Sequence, residues 1–581
     1  MTLPNDDKSF LTSYPELSKL VKLIDQYLAN RHPKFFGSGA LHPYLKVKRS
    51  KVIHDSLWGT NRFTWQELVL IDSPLIQRLR DIHQVGLAYL IYPSAHHTRF
   101  EHSLGVTIAA TRILESIINR DDDILRDIHS EFPDSEYEKF LIQIKQELRL
   151  AALLHDTGHS LFSHSSEQVY KNLEIIKKAS QELSDFVGKE KGAGEVISFC
   201  ISLTDSVKNV LIKAKIQLVG KTFSDEYKED IDMLNVALLI VGRSRHPYLQ
   251  FLGDIISSGF DADKLDYLYR DAVTAGLPLR YDLDRYLYSV RIGKGELADG
   301  DNQLEKFYET VNKKKIDRNS PTEGIPYYET YRLRLPRQAM NTIEQIVICK
   351  MMLFSYIYHH KKVRAAEGLL IKILKQKLAQ WENEEQSDEQ KLEHFLDLTD
   401  SGLTSLNYFG KNDDLVKDYV YRLLNRLLPR EVYRLSGALV SHAEKKLLVN
   451  FLTSLQDKDK RQNLIRELEL EIGKELIKIC NETVPAEEML IKAGVWVDVP
   501  KAPKFEDVDE LMKEDNLETL SLERLFPVER WNQAYMHYKY YVRIFSFSEY
   551  WEQTQEAAKR AMKSKLNINQ EQFYETVKRN R

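Results

Sequence analysis

Four short stretches of this chain hold side chains that together could bind a cation and act on a phosphate: TRFEHSLG (98–105), LLHDTGHSLFSH (153–164), FDADKLDYLYRDA (260–272) and YIYHHKK (356–362). The central pair is His155–Asp156. It closes the apolar helical run LAALL, where a buried imidazole and carboxylate are costly without a partner. A metal ion answers that cost, since imidazole and carboxylate together suit Fe, Mn, Co, Ni or Zn. Gly158 then breaks the helix, and His159 and His164 follow in a turn. A second His-Asp pair, His54–Asp55, lies in a hairpin-like stretch without that context and reads as a chance match.

Two other segments supply partners. Thr98 and Glu101 have capping-box spacing, so a helix starts there and puts Arg99 and His102 on one face of its first turn. Asp263, Tyr267 and Asp271 recur every four residues and share a helix face bordered by Lys264. Asp266 and Arg270 have the same spacing and read as a surface ion pair. His102, His155, Asp156 and Asp263 could complete one metal site with positions left for water and substrate. Such a site acidifies water and polarises a phosphoryl oxygen. Arg99, Lys264 and Lys350 could neutralise a polyphosphate.

The elements that must position these groups are mainly α-helical. Helical periodicity covers Pro74–Val85, Arg99–Asn119, Glu147–His155, Ile231–Val241, Phe260–Ala275 and Ile343–Gln376. One amphipathic pattern opens the chain within residues 1–50. Residues 51–66 predict a β-hairpin around Gly59–Asn61. Polar stretches at 120–146, 171–230 and 292–330 interrupt the helices, and 381–390 is an acidic connector. Strand-like runs, VYRLSGALVS and YYVRIFSFS, mark a mixed C-terminal region. The organisation expected is a helical extension over 1–50, a core over 51–380 with insertions near 171–230 and 292–330, and a helical and mixed α/β region over 381–581.

Composition narrows the class. Among 581 residues only 24 Gly and 17 Pro occur, which favours helices over a turn-rich β fold. The net charge of −4 carries no overall nucleic-acid signal. The three cysteines, Cys200, Cys349 and Cys480, form no CxxC pair, which argues against a cysteine zinc site or a disulfide framework. The N-terminus lacks the pattern of a secretory signal and no apolar run is long enough for a bilayer, so a cytoplasmic protein without membrane partners is expected.

The motifs resemble those of HD-domain metallophosphohydrolases, with their H…HD…D signature, and more narrowly the deoxynucleoside triphosphate triphosphohydrolases of the SAM-and-HD-domain type and their bacterial relatives. The resemblance rests on IDSPLIQRLRDIHQVGLAYLIYPSAHHTRFEHSLGV, LLHDTGHSLFSH, GFDADKLDYLYRDAVTAGL and YIYHHKK, and covers roughly 50–290 and 340–370. Residues 1–50 leave no room for a separate SAM domain. The resemblance implies a helical HD core and a divalent metal (Mn, Fe, Mg, Zn, Co or Ni) on His102, His155, Asp156 and Asp263. It implies His159 and His164 as active-site histidines, His164 being the general acid and Glu167 its orienting carboxylate. It puts Gln84, Arg99, Lys264, Tyr267, Asp271, Lys350 and Tyr358 at the substrate, with Tyr358 excluding a 2′-hydroxyl. Asp72, Gln77 and Arg80 match a guanine-nucleotide activator pocket, so a guanine nucleotide or dNTP activator and a homo-oligomer, dimer or tetramer, are implied. One departure stands out: where the family commonly has His-Glu, this chain has Gly194–Glu195. The residues also fit two alternatives, an HD-type phosphodiesterase or nuclease on single-stranded DNA and a non-catalytic nucleotide-sensing module.

Overall fold

The computed structural model describes residues 7–37, 50–132, 135–218, 231–295, 330–404, 414–435, 455, 457–501, 530–531, 534–535 and 539–566. The chain opens with α1 (Asp7–Ser13) and α2 (Pro15–Arg31). The single helix expected here is two, because Pro15 has no N–H to donate to the preceding turn and instead begins a new helix. The expected hairpin forms, but its turn lies at residues 56–58 and Gly59–Asn61 already belongs to the second strand: β1 (Ser50–Asp55) pairs antiparallel with β2 (Gly59–Thr64), with Asp55 opposite Gly59. Thr64 then caps α3 (Trp65–Ile71), and Glu67 returns to the Thr64 N–H.

Helix α4 (Arg99–Arg120) is the spine of the site. Glu101 accepts the Thr98 N–H at 2.7 Å, so the expected cap forms through its return arm. Phe100, Leu104, Ile108, Ile113 and Ile117 are buried along it. It packs on α6 (Tyr137–Leu154), reached through α5 (Asp122–Ser130), and on α13, defined below. Residues 120–146, read as a polar interruption, therefore hold α5 and most of α6. Their charges lie on outer faces while Leu125, Ile128, Phe140 and Ile144 point inward.

Residues 171–218, the described part of the stretch 171–230 read as a polar insertion, are likewise largely helical; residues 219–230 lie outside the described residues. Helix α7 (His164–Tyr170) leads into them, and they contain α8 (Glu174–Val187), α9 (Ala193–Ser202) and α10 (Asp205–Leu218). Both α8 and α9 pack against α2, so the N-terminal helices belong to the same core. Next come α11 (Met233–Ile240), α12 (Gln250–Ile256) and α13 (Ala262–Thr274). The polar stretch 292–330 is bounded by β3 (Arg291–Gly295) and β4 (Thr330–Arg334), an antiparallel pair; residues 296–329 lie outside the described residues. The expected helix Ile343–Gln376 is α14 (Met340–Leu353) and α15 (Lys361–Asn383), separated by a widened turn at Phe354–Tyr358. Pro74–Val85 is also broken: one helical turn over Pro74–Gln77 passes into a tight 3₁₀ turn, Arg78–Asp81, and His83 then bridges to Thr98.

After α16 (Asp388–Asp397) and a short helix, Asp400–Thr404, a second hydrophobic cluster begins at Val432. It is a three-stranded antiparallel sheet, β5 (Arg430–Leu435), β7 (Val542–Ser546) and β6 (Trp496–Asp498) in that spatial order, covered by α17 (Lys458–Cys480) and α18 (Trp551–Leu566). The described part of the first strand-like run, residues 432–435, thus pairs with the second, and residues 436–441 lie outside the described residues. The fold is mainly α with a few small antiparallel sheets, as expected. Among the described residues no helix is long and apolar enough to cross a membrane.

Candidate metal centre and active site

The first turn of α4, the end of α6 and the first turn of α13 meet at one point. The nearest ligand atoms of His102, His155 and Asp156 lie within 4.8 Å of one another. Asp263 Oδ1 joins them at 3.0 Å from His102 Nε2 and 3.9 Å from His155 Nε2. His155 donates its Nδ1 proton to the Ala152 carbonyl at 2.7 Å, which leaves the lone pair on Nε2. That Nε2 is buried and makes no hydrogen bond among the described residues. His102 donates from Nδ1 to Asp266 Oδ2 at 2.7 Å, which directs its Nε2 lone pair to the same point. Two imidazole lone pairs and two carboxylates aimed at one centre fit a divalent metal.

Electrostatics agree. Burial disfavours charge on His102, yet hydrogen bonds to Asp263 and Asp266 overcome it and raise the imidazole to about 10. Proton and metal would compete for that nitrogen. Burial also opposes the charge on Asp156 and Asp263. Arg99 nevertheless holds Asp156 well below the usual carboxylate range, and His102 draws Asp263 down to about 2. Arg99, 2% exposed, donates to Asp156 and, through Nε, to Ser163 Oγ at 2.8 Å. As folded, it holds a metal-ligand candidate through Nη1, while its buried Nη2 makes no hydrogen bond among the described residues.

Asp266–Arg270 is the clearest correction. Both residues are buried beneath His102. Arg270 also reaches Asp55 at 3.0 Å, and Trp58 Nε1 donates to Asp266. A Cβ at Gly105 would fall 2.0 Å from Asp266 Oδ1, so only glycine lets α13 approach α4 with this pair between them. Asp55, half of the chance match, is thus a structural support of the site, while His54 lies on the hairpin beside Thr60.

His159 and His164 pack edge to face, their ring centroids 5.0 Å apart. His159 is buried, with Nε2 3.5 Å from Asp156 Oδ1, and burial together with Arg99 lowers it to about 3. His164 is 77% exposed in its side chain and pairs through Nδ1 with Glu167 Oε2 at 3.0 Å. Despite burial, that bond holds Glu167 below the ordinary carboxylate range. Gly194 lies directly on His159: a Cβ there would come within 2.6 Å of the ring, and its N–H reaches Glu167 Oε1 at 3.3 Å. No side chain of any kind fits at Gly194 without moving His159.

The remaining candidates are placed unevenly. Tyr358 donates to Asp271 Oδ2, and His97 Nε2 lies 2.7 Å from Asp271 Oδ1. Sequence reasoning overlooked His97, whose only signal was its place one residue before the cap. Lys264 bonds the Ser258 carbonyl and Asp261 at the start of its own helix. Tyr267 is half-buried against the core, and Lys350 lies in the last turn of α14. The Gln84 N–H donates to the His97 carbonyl at 3.0 Å. Gln77 joins Arg80 at 2.9 Å and the Ile71 carbonyl at 2.8 Å, while Asp72 caps α3 at the surface. Between these two regions Arg78, also overlooked, donates to the Thr157 and His159 carbonyls at 2.6 and 2.7 Å.

Residues 99–210, which carry His102, His155 and Asp156, match the HD domain model. The relatives narrow the comparison. The chain is 28% identical over 46% of its length to the deoxynucleoside triphosphate triphosphohydrolase SAMHD1 homolog of Dictyostelium discoideum, covering 44% of that protein. It is 26% identical to an uncharacterized protein of Bacillus subtilis, over 65% of this chain and 67% of that one. It spans less than half the length of the relatives that carry the triphosphohydrolase name. A crystal structure of a hypothetical protein from Aquifex aeolicus shares the fold, with a TM-score of 0.53 and 21% identity over 87% of this chain and 99% of that one.

Proposed function

We propose that this chain hydrolyses deoxynucleoside triphosphates to deoxynucleoside and inorganic triphosphate. The observation that carries the reading is the convergence of two Nε2 lone pairs and two carboxylates beside the exposed His164 and its partner Glu167. The similarity to proteins named dNTP triphosphohydrolases supports the substrate class. His102, His155, Asp156 and Asp263 would hold the metal, which when bound supplies positive charge at a phosphoryl oxygen and acidifies water.

The chain's own groups do the rest. Water attacks the α-phosphorus, the bond to the 5′ oxygen breaks, and that oxygen takes a proton. His159 is neutral at physiological pH and has no proton to spare from its buried site. His164 stands at the rim, its ring oriented through Nδ1 by Glu167 at 3.0 Å, so it is the donor. Arg99 keeps Asp156 ionised. Asp271, held on both oxygens by His97 and Tyr358, sets a fixed wall against which the sugar packs, with Tyr358 closing the space beside C2′. Lys264, Lys350, Tyr267 and Gln84 line the remaining substrate contacts, and Asp72, Gln77 and Arg80 form an activator pocket for a guanine nucleotide or dNTP in a homo-oligomer.

Purified protein with Mn²⁺ or Mg²⁺ is given each dNTP, with and without GTP, and triphosphate release is measured. Release by the parent chain and its loss in His155→Ala are expected. No triphosphate from any nucleotide pair would refute the reading, and cleavage of a labelled oligonucleotide instead would move it to a nuclease.

A further inference from the structure

We propose that Asp400 is a positioning residue for the active site, acting through the strained turn that ends at His164; the inference rests on the hydrolase reading above. Phe162 and Ser163 have φ values of +47° and +56°, and Ser163 pairs its value with ψ of −125°. Non-glycine residues keep such conformations only where their surroundings impose them. Here the imposing group comes from far along the chain.

Asp400 is 3% exposed and begins the short helix that follows α16. Its Oδ1 accepts the Phe162 N–H at 2.6 Å, and its Oδ2 accepts the His83 N–H at 2.8 Å. His83 Nδ1 lies 2.5 Å from the same Oδ2. One carboxylate therefore fastens two segments that flank the site. The His83 carbonyl in turn accepts the Ser163 hydroxyl at 2.7 Å, and Ser163 Oγ accepts Arg99 Nε at 2.8 Å. Arg99 donates onward to Asp156. An unbroken run of hydrogen bonds thus leads from Asp400 to a metal-ligand candidate, and its other arm fixes the residue two before His164.

The neighbours of Asp400 do the same work from the same stretch. The Ser160 hydroxyl donates to the Phe395 carbonyl at 2.6 Å, holding the start of the turn. The Thr399 hydroxyl donates to Asp81 at 2.6 Å, and the Ser401 N–H reaches Asp81 at 3.3 Å, holding the segment that leads into His83. Residues 395–401 are a brace laid across the turn that ends at His164, and Asp400 is bonded to both sides of it. Their bonds go to the turn and to the segment leading into His83, so their contribution is to where His164 and Arg99 stand.

The test uses the full chain with Asp400→Ala and Asp400→Asn. Three readouts are taken: metal content, steady-state kinetics on the dNTP best hydrolysed by the parent, and amide hydrogen exchange at Phe162 and Ser163 without nucleotide. In Asp400→Ala, kcat falls about 10- to 100-fold while KM and metal content stay within about twofold of the parent. Exchange at Phe162 and Ser163 accelerates. Asp400→Asn keeps an acceptor oxygen and recovers part of kcat; if Asp400→Ala does not fold, the Asn variant carries the test through its smaller loss at unchanged metal content. Parent kcat in both variants would overturn the proposal, as would a kcat loss matched by an equal loss of metal. If the parent hydrolyses no dNTP, the substrate reading fails on its own. The brace is then judged by exchange, and parent-like protection at Phe162 in Asp400→Ala would overturn it.

Discussion

Gly194→Ala tests how tightly the HD turn is packed. A Cβ at position 194 would stand 2.6, 2.8 and 2.9 Å from three atoms of the His159 ring. Comfortable carbon contacts begin near 3.5 Å, so the ring must retreat by about 1 Å. The backbone of His159 cannot follow, because its carbonyl and that of Thr157 are both held by Arg78. The ring must swing on its side-chain torsions toward Asp156 and His164, its neighbours on the open side. Overpacking of this kind costs about 1–3 kcal/mol of stability. Displacement by about 1 Å beside reacting groups costs on the order of a hundredfold in rate. Because the ring swings toward Asp156, a metal-ligand candidate 3.5 Å from His159 Nε2, bound metal has to be measured beside the rate. The assay measures triphosphate release, bound metal and chemical denaturation on the same preparation. Gly194→His, which restores the residue suggested by the family resemblance, is expected to be worse than Gly194→Ala, because the first carbon of any side chain already collides. Parent-like rate and stability in Gly194→Ala would refute the packing argument.

Two further outcomes follow from buried charge. Asp266→Ala removes the acceptor that orients His102 and strands most of the Arg270 guanidinium; metal affinity by chelator competition should fall about 10- to 100-fold, and denaturation should show a loss of about 3–5 kcal/mol. Glu147, buried against Asp232 and Asn235, is pushed up from 4.5 to about 7, chiefly by burial. A raised carboxyl binds its proton more tightly folded than unfolded, so its contribution to stability falls as pH rises from about 4.5 to 7, by roughly 3 kcal/mol in all. Glu147→Gln should flatten that part of the stability–pH curve, and an identical slope in parent and variant would count against the shift.

Much of the site was legible because helical spacing is local. The Thr98–Glu101 pair announces the start of α4, and the four-residue recurrence of Asp263, Tyr267 and Asp271 announces the face of α13. What spacing cannot report is burial. Asp266 and Arg270 have the same separation as any exposed pair, and only the approach of α4 at Gly105 turns them inward. The polar-looking stretches 120–146 and 171–230 misled for a related reason. Their charged residues are numerous, but each helix needs only an apolar stripe to bury itself. Ile175, Ile176, Ala179 and Leu183 supply that stripe in α8 amid lysines and glutamates.

Harder still to read are groups that act across the chain on backbone atoms. Arg78 donates to two carbonyls of the HD turn, and Asp400 accepts from two amides, so the partner side chains impose no residue type that a motif could display. The same holds for His97, whose partner Asp271 lies 174 positions away. These contacts share a physical role. The turn between α6 and α7 combines Gly158, where a Cβ would meet the Gly194 carbonyl at 2.2 Å, with two left-handed residues and a buried neutral histidine, none of which favours the folded state by itself. Arg78 holds it from the N-terminal side and Asp400 from the C-terminal side. The free energy that keeps the HD turn in its working shape therefore comes from outside the motif, and the motif alone, transplanted without residues 78 and 400, would not be expected to hold His159 and His164 where they stand.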